Sequence, residues 1–274
     1  MSTLFLVATP IGNLADMSPR AIKTLNTVRL IAAEDTRHSG KLLKHFGIAT
    51  RLTSYYEHNQ LRKLDEILAI LEQGDVALIS DAGMPGINDP GYLLVRAALD
   101  SGHEVSPIPG PSAPIAALAA SGLPTDSFLY LGYPPRKSSE RRRAFEAIRD
   151  QAHTLVWLEA PHRLAATLED MQAVFGERQV AVAAEMTKLY ERFFRGSLAE
   201  ALAFFAEELA RGEYTIVLAG AQEAGTWDEA SVRTALEAGL EGEQSPSQLA
   251  RAVAAESGWK RSEVYDLLQR LEEN

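Results

Sequence analysis

The chain has 274 residues, 46% of them hydrophobic and 23% charged, with a formal net charge of −10. That is length for one large or two medium globular domains, and the acidic balance excludes indiscriminate nucleic-acid binding, so any such contact has to come from local basic patches. No cysteine is present, which excludes disulfides and cysteine-ligated zinc or iron–sulfur centres.

In chain order, Leu4 to Ala8 reads as a first apolar strand, followed by the loop Thr9-Pro10-Ile11-Gly12-Asn13-Leu14. Ser18-Pro19 starts a helix carrying Ile22, Leu25 and Val28, with Ser as N-cap and Pro at the first helical position. Leu30 to Ala33 is a short strand ending in Glu34-Asp35-Thr36-Arg37, and a short helix is expected over Gly40 to Phe46. Thr53 to Gln60 is a polar connecting segment, and the helix after it places Leu61, Leu64, Ile67, Leu68 and Leu71 on one face. Val76 to Ile79 has the length of a buried strand. It ends in Ser80-Asp81-Ala82-Gly83, small residues that let a ligand approach the main chain. Asp89-Pro90 reads as the cap and first position of a helix to Ser101. A strand near Val105 to Pro107 and the segment Pro109 to Pro114 open a helix from Ile115 to Ser121. Strands alternating with helices imply a mainly parallel sheet.

Gly122 to Asp126 reads as a hinge. Strands are expected at Phe128 to Leu131, Thr154 to Leu158, Val180 to Ala184 and Tyr214 to Ala219, with an antiparallel one at Phe193 to Gly196. Tyr133 to Arg143 is a basic loop entering a helix, Glu159-Ala160-Pro161-His162-Arg163 starts another, and Ser197 with Glu200 forms a capping box. From residue 223 only helices remain: Trp227 to Gly239, one capped by Ser245-Pro246 up to Gly258, and one from Ser262. The fold class is therefore α/β, divided as 1–121, 122–222 and a small helical tail 223–274. The tail is a packing or dimer element or, through Arg251, Lys260, Arg261 and Arg270, a nucleic-acid reader.

In a parallel sheet the loops after the strands meet at one edge, so Pro10, Gly12 and Asn13, then Glu34, Asp35 and Arg37, His58 and Asn59, Asp81 to Gly83, and Ser112 with Ala113 are expected around one cleft. Glu159, His162, Glu185 and Lys188 join from the second half. No loop matches G-x-x-x-x-G-K-S/T, G-x-G-x-x-G or G-x-S-x-G. Small residues and a few charges suit a neutral or cationic cofactor better than a triphosphate. Each candidate has a plainer reading: Asp35 and Arg37 as a surface pair, His58 as support for a helix start, and Arg136, Lys137 and Arg141 to Arg143 as a solvated helix start. No tight histidine pair suggests a metal, and no apolar stretch approaches the ~20 residues of a membrane span. The opening segment lacks the basic region of a signal peptide, and a soluble cytoplasmic protein is expected.

Ala8 to Leu14, Ala33-Glu34-Asp35-Thr36-Arg37, Glu57-His58-Asn59, Ser80 to Gly91, Pro109-Gly110-Pro111-Ser112, Ala160-Pro161-His162-Arg163 and Thr187-Lys188 together resemble the tetrapyrrole methylase family of S-adenosylmethionine-dependent methyltransferases, and within it the branch acting on small-subunit ribosomal RNA. The resemblance covers residues 4 to 221. It implies two α/β domains with the cofactor in the cleft between them, a homodimer, and 2′-O-methylation of a cytidine ribose in the decoding region of 16S ribosomal RNA in the small ribosomal subunit. Carried over by position, the cofactor would meet Pro10, Asp81, Ala82, Gly83, Pro85, Ser112, Ala113, Leu158, Met186, Thr215 and Ala219. Porphyrin-type members have a Gly-rich first loop, and here that loop has a single Gly. Catalytic candidates are Asp35, Arg37, His58, Asn59, Glu185 and Lys188, with Arg37 and Asn59 orienting the nucleotide. RNA-docking candidates are Arg136, Lys137, Arg141, Arg142, Arg143, Lys260 and Arg261. A tetrapyrrole or corrin-precursor methyltransferase and a non-catalytic RNA-binding assembly factor are the alternatives.

Overall fold

The computed structural model describes residues 1–206, 212–221, 227–240 and 245–272. In chain order the first half runs β1 (Thr3–Val7), α1 (Pro19–Thr27), β2 (Leu30–Ala33), α2 (Thr36–His45), β3 (Leu52–Ser54), α3 (Gln60–Leu71), β4 (Val76–Ile79), α4 (Tyr92–Asp100), β5 (Glu104–Ile108) and α5 (Ala113–Ser121). All five strands pair in parallel, in the order β3-β2-β4-β1-β5. β1 and β4 are neighbours whose connections leave in opposite directions along the sheet, which makes their carboxyl ends a topological switch point. Strand alternation sorts the apolar runs. Val7, Ile31, Ala77 and Ile79 face Met17, Leu25 and Leu43, while Leu4, Leu30, Val76 and Leu78 face Ile67, Leu71 and Leu94.

Local sequence starts these helices where the chemistry allows. Ser18 Oγ accepts from Ala21 N at 3.1 Å, with Pro19 in the first turn. α2 begins at Thr36 rather than Gly40, because Asp35 caps it by accepting from Arg37 N at 2.8 Å. Asp89 does not cap α4: that helix starts at Tyr92 with Gly91 before it. β3 has three residues, too short to carry a pattern.

The second half runs β6 (Phe128–Tyr130), α6 (Ser138–Glu146), β7 (Thr154–Glu159), α7 (Leu164–Phe175), β8 (Gln179–Ala184), β9 (Arg192–Ser197), α8 (Leu198–Ala206) and β10 (Tyr214–Leu218). Its sheet, ordered β6-β7-β10-β8-β9, is mixed: β6 and β7 are parallel, whereas β10 runs antiparallel to both β7 and β8, and β9 antiparallel to β8. The capping box closes as its spacing requires, with Ser197 N donating to Glu200 Oε2 at 2.8 Å and Glu200 N to Ser197 Oγ at 3.2 Å. α6, α7 and α8 cover one face through Phe145, Leu168, Met171, Phe175, Leu198 and Phe205. The other face takes Ala117 and Leu118 of α5 against Val156, Ala181, Ala183 and Val217. The helix that ends the first half thus packs on the second sheet, and residues 1–149 with 153–219 form one compact unit.

The other unit is residues 150–152 with 220–274. It contains α9 (Glu229–Leu240), α10 (Pro246–Ser257) and α11 (Arg261–Glu272), closed over Val232, Leu236, Leu249, Val253, Val264 and Leu268. Trp259 Nε1 donates to the Trp227 carbonyl at 2.6 Å, and Ser245 with Gln248 caps α10. No helix among the described residues is long and apolar enough to cross a membrane.

One buried ion pair organises α6 on α7. Arg141, 3% exposed, donates from Nε to Asp170 Oδ2 at 2.7 Å, while Ser138 Oγ and Arg142 Nε reach Asp170 Oδ1 at 2.9 and 2.5 Å. Burial pushes the Asp170 carboxyl up, but donors from Arg142, Ser138 and Arg141 outweigh it and hold the group below the ordinary carboxylate range. Asp170→Ala strands the Arg141 charge in the interior and is expected to lower stability by about 3–5 kcal/mol in urea titrations at neutral pH. Because the folded-state pKa is lowered, the contribution is present above the ordinary Asp value of ~3.9 and disappears as pH falls through the lowered one. The gap between wild type and variant therefore closes on acidification.

Candidate active site

Loops at the carboxyl ends of β1, β2, β4 and β5 meet segments of the second sheet around a cavity of about 310 Å³. The first loop supplies Ile11, the second Glu34, the third Asp81 to Met84 and Ile87 to Asp89, and the fourth Ser112 to Pro114. From the second sheet come Tyr130, Tyr133, Leu158, Glu185, Met186, Lys188 and Glu213 to Thr215. A second cavity of about 640 Å³ shares Ile11, Asp81, Ala82, Lys188 and Glu213 with the first and extends to Pro10, Gly12, Leu14, His38, Lys41, Leu42, His45 and Gly212.

The walls are held by main-chain contacts. Thr9 N donates to the Gly83 carbonyl at 2.9 Å and Gly83 N to the Thr9 carbonyl at 3.0 Å, bridging the loops after β1 and β4. Gly83 has φ +83°, open to glycine without strain. Both its main-chain polar groups are used by Thr9, so its part is to shape the loop rather than to bond a ligand. Gly12, the single glycine of the first loop, lies where a Cβ would come within 2.6 Å of Lys188 Cγ, 2.8 Å of Thr187 Oγ1 and 3.0 Å of the Met186 carbonyl. The non-glycine residues at positive φ, among those described, are Asn88, Glu185 and Thr187. All three lie in segments that line the cavities, and such conformations persist where surrounding structure enforces them.

The first cavity is lined by five carboxylates, Glu34, Asp81, Asp89, Glu185 and Glu213, and one ammonium, Lys188. Crowding shows in their protonation. Burial, then the Glu34 charge, pushes Asp89 up to about 6 against a bond from Ser80. Burial and the Asp81 charge raise Glu34. Burial lifts Tyr130 to about 12 and raises Tyr133. Lys188 Nζ contacts Glu185 Oε1 at 2.8 Å. A cation is the ligand this lining favours, with tyrosine rings available to its faces.

Of the expected cofactor residues, Asp81, Ala82, Gly83, Ser112, Ala113, Leu158, Met186 and Thr215 line the first cavity and Pro10 the second. Pro85 is buried in the same loop without lining either. Ala219 has to be taken out of the set: β10 is antiparallel to its neighbours, so its amino end meets the cavity and Ala219 lies four residues, about 13 Å, toward the opposite edge. Among the catalytic candidates only Glu185 and Lys188 line the first cavity. Asp35 caps α2 and pairs with Arg37 at 3.0 Å, which holds its carboxyl at about 2. Asn59 is buried and holds a turn, bonding Tyr56 N at 2.8 Å and the Ser54 carbonyl and hydroxyl at 3.3 and 3.2 Å. His58 is exposed, edge-on to Tyr56. Glu159 is buried against Thr167 and Arg163. Of the RNA candidates, Arg141 is removed by burial against Asp170 and Arg142 is paired to the same carboxylate. Lys137 pairs with Glu140 at 3.2 Å, while Arg136, Arg143, Lys260 and Arg261 are exposed, the last donating to Ser247 Oγ at 2.8 Å. Glu34 lines the cavity, as expected of its loop, though no role there was assigned to it from the sequence; Tyr130, Tyr133 and Glu213 were not singled out from the sequence. For Asp89 the Asp-Pro dipeptide gave a capping signal that hid its place in the cavity wall.

A sequence profile of the family described as Tetrapyrrole (Corrin/Porphyrin) Methylases matches residues 3–202. A curated protein of Synechocystis sp. named ribosomal RNA small subunit methyltransferase I is 47% identical over 276 residues, covering 99% of each chain. The protein of that name from Escherichia coli O157:H7 is 47% identical over 96% of this chain and 93% of its own. Among solved structures, uroporphyrin-III-C-methyltransferase from Thermus thermophilus superposes with a TM-score of 0.54 at 20% identity, covering 79% of this chain and 94% of that one. The methyltransferase CobJ gives 0.57 at 18% identity, covering 81% and 95%. At those identities the two structures speak for the fold alone.

Asp89 supplies a test of the crowded lining. A carboxyl raised in the folded state favours folding fully below its unfolded pKa, and that benefit is lost as pH rises through about 6. Asp89→Asn carries no such charge. Urea titrations between pH 4 and 7.5 are expected to show the variant gaining on wild type as pH rises, with the change centred between about 4 and 6.

Proposed function

The chain belongs to the tetrapyrrole methylase family, and we propose that within it the protein transfers a methyl group from S-adenosylmethionine to the 2′-hydroxyl of a cytidine ribose in small-subunit ribosomal RNA. Methyl transfer to ribosomal RNA is the activity for which relatives that match nearly end to end are named. The observation that carries the reading is the carboxylate-lined cavity at the switch point, whose charge suits a cofactor bearing a sulfonium and an ammonium. A homodimer and a cytoplasmic place of action belong to the same reading.

S-adenosylmethionine, when bound, supplies an electrophilic methyl group on sulfur. The residues present fit it: Ser112, Ala113 and Ala82 leave room, the five carboxylates offset its charge, and Tyr130 and Tyr133, held protonated, offer hydroxyl donors and ring faces. Much of the rate in such a transfer comes from in-line positioning. Lys188, fixed by Glu185, stands in the wall common to both cavities, where its charge lowers the energy of a developing ribose oxyanion. Asp89, which lines the smaller cavity and is raised to about 6 in the unliganded protein, first by burial, is the carboxylate we assign to accept the ribose proton.

Labelled methyl transfer to isolated small subunits tests the reading. Label on ribose protects the adjoining phosphodiester from alkaline cleavage, whereas label on a base does not, and a base-linked product would sink the 2′-O assignment. Asp89→Asn is expected to lower turnover at saturating cofactor and subunits by about 10²-fold or more and to flatten the acid limb of the pH–rate profile. Asp35→Ala, at a residue committed to a cap, is expected to keep turnover within a few-fold.

A further inference from the structure

α2 is the most one-sidedly charged element of an acidic chain. Its ten residues, T-R-H-S-G-K-L-L-K-H, include Arg37, His38, Lys41, Lys44 and His45 and no carboxylate, against a net charge of −10 for the whole protein. His38, Lys41 and His45 fall at i, i+3 and i+7, one face of the helix, and exposed Lys44, three residues after Lys41, borders that face outside the cavity. That face lines the larger cavity, where Pro10, Ile11 and Leu14 supply apolar surface opposite. Among the described residues Lys41 has no ion-pair partner, and all three side chains are exposed. The basic start of α6 contrasts with this: Arg141 and Arg142 are spent on Asp170 and Lys137 on Glu140. Asp81, Glu213 and Lys188 stand in the wall common to both cavities; beyond that wall the charged groups that the smaller cavity adds are only carboxylates, Glu34, Asp89 and Glu185, and those that the larger adds are only the basic side chains of α2.

We propose that the larger cavity is the seat of single-stranded RNA, its backbone phosphates held along the exposed face of α2 and the target ribose delivered to the wall shared with the smaller cavity. This rests on the methyl-transfer reading for the identity of the target and deepens it by naming the docking element. A polyanion entering over α2 meets the cations first, while the carboxylates of the smaller cavity repel its phosphates and leave that space to a cation. Pro10, Ile11 and Leu14 of the first loop line the same cavity and offer apolar surface to a base splayed out of a single strand.

The test is the full-length double variant Lys41→Ala/Lys44→Ala, titrated with a fluorescent single-stranded RNA across a salt series. Each lost phosphate contact on a single strand removes about 0.7 from the slope of log K against log salt, so the slope should fall by about 1.4. Cofactor affinity by calorimetry should be unchanged, KM for small subunits should rise with kcat retained, and Lys41→Arg/Lys44→Arg should restore both RNA readouts. A wild-type salt slope and affinity in the alanine variant would overturn the docking proposal. So would a loss of slope confined to an Arg136→Ala/Lys137→Ala/Arg143→Ala comparison variant. Labelled methyl transfer by the unmodified protein separates the two levels. Absence of transfer with the α2 effect on RNA intact sinks the methyl-transfer reading and supports the RNA seat. Normal transfer with no α2 effect does the reverse.

Discussion

Thr9 and Gly83 exchange two main-chain hydrogen bonds just beyond the carboxyl ends of β1 and β4, and the site is built outward from that bridge. The connections after these adjacent parallel strands diverge, which opens a crevice; the bridge keeps the crevice from widening further. It also aligns Ile11 from one loop and Asp81 and Ala82 from the other, residues that belong to both cavities. Thr9 Oγ1 adds a bond to the Ser80 carbonyl at 3.1 Å, satisfying a buried group where the strand ends. The positive φ of Gly83 is what lets the chain turn back after pairing.

The second sheet completes the site by breaking the pattern of the first. With β10 antiparallel between β7 and β8, the amino end of β10 lies beside the carboxyl ends of its neighbours, so Tyr214 and Thr215 reach the cavity together with Leu158 and Met186. Gly12 permits the first loop to lie against the Met186–Lys188 segment, where a side chain would collide with backbone and Lys188. α5 fastens the arrangement by placing Ala117 and Leu118 on the second sheet. Loop contact and helix packing thus bind two sheets of different topology into one unit.

Charge is distributed with similar economy. Carboxylates brought into one small volume raise one another's pKa values, as Asp89 and Glu34 show, and a bound cation relieves that repulsion. Three carboxylates outside the cavity are matched by arginines: Asp170 by Arg141 and Arg142, Asp35 by Arg37, Glu159 by Arg163. At the cavity five carboxylates face a single ammonium, where a cationic ligand is expected.

Strand and helix identity could be read from the sequence because the signals are local. Apolar runs such as Val76–Ile79, the Ser18-Pro19 start and the Ser197–Glu200 box each need only neighbouring residues. The family-defining loops were visible for the same reason, and with them most of the residues that line the first cavity. What the sequence could not carry was the direction of β10, which decides that Thr215 and not Ala219 meets the cavity, since strand direction is settled by partners far away in the chain. Nor could it distinguish Arg141, buried on Asp170 twenty-nine residues later, from Arg143, exposed two positions on. Asp35, Asn59 and Asp89 show the same limit. Each is a polar residue beside a helix start, yet one caps, one holds a turn and one faces the cavity. Residue type determined that these side chains would be polar and near loops; only tertiary packing, by fixing which hydrogen-bond partners were already taken, decided which remained available for chemistry.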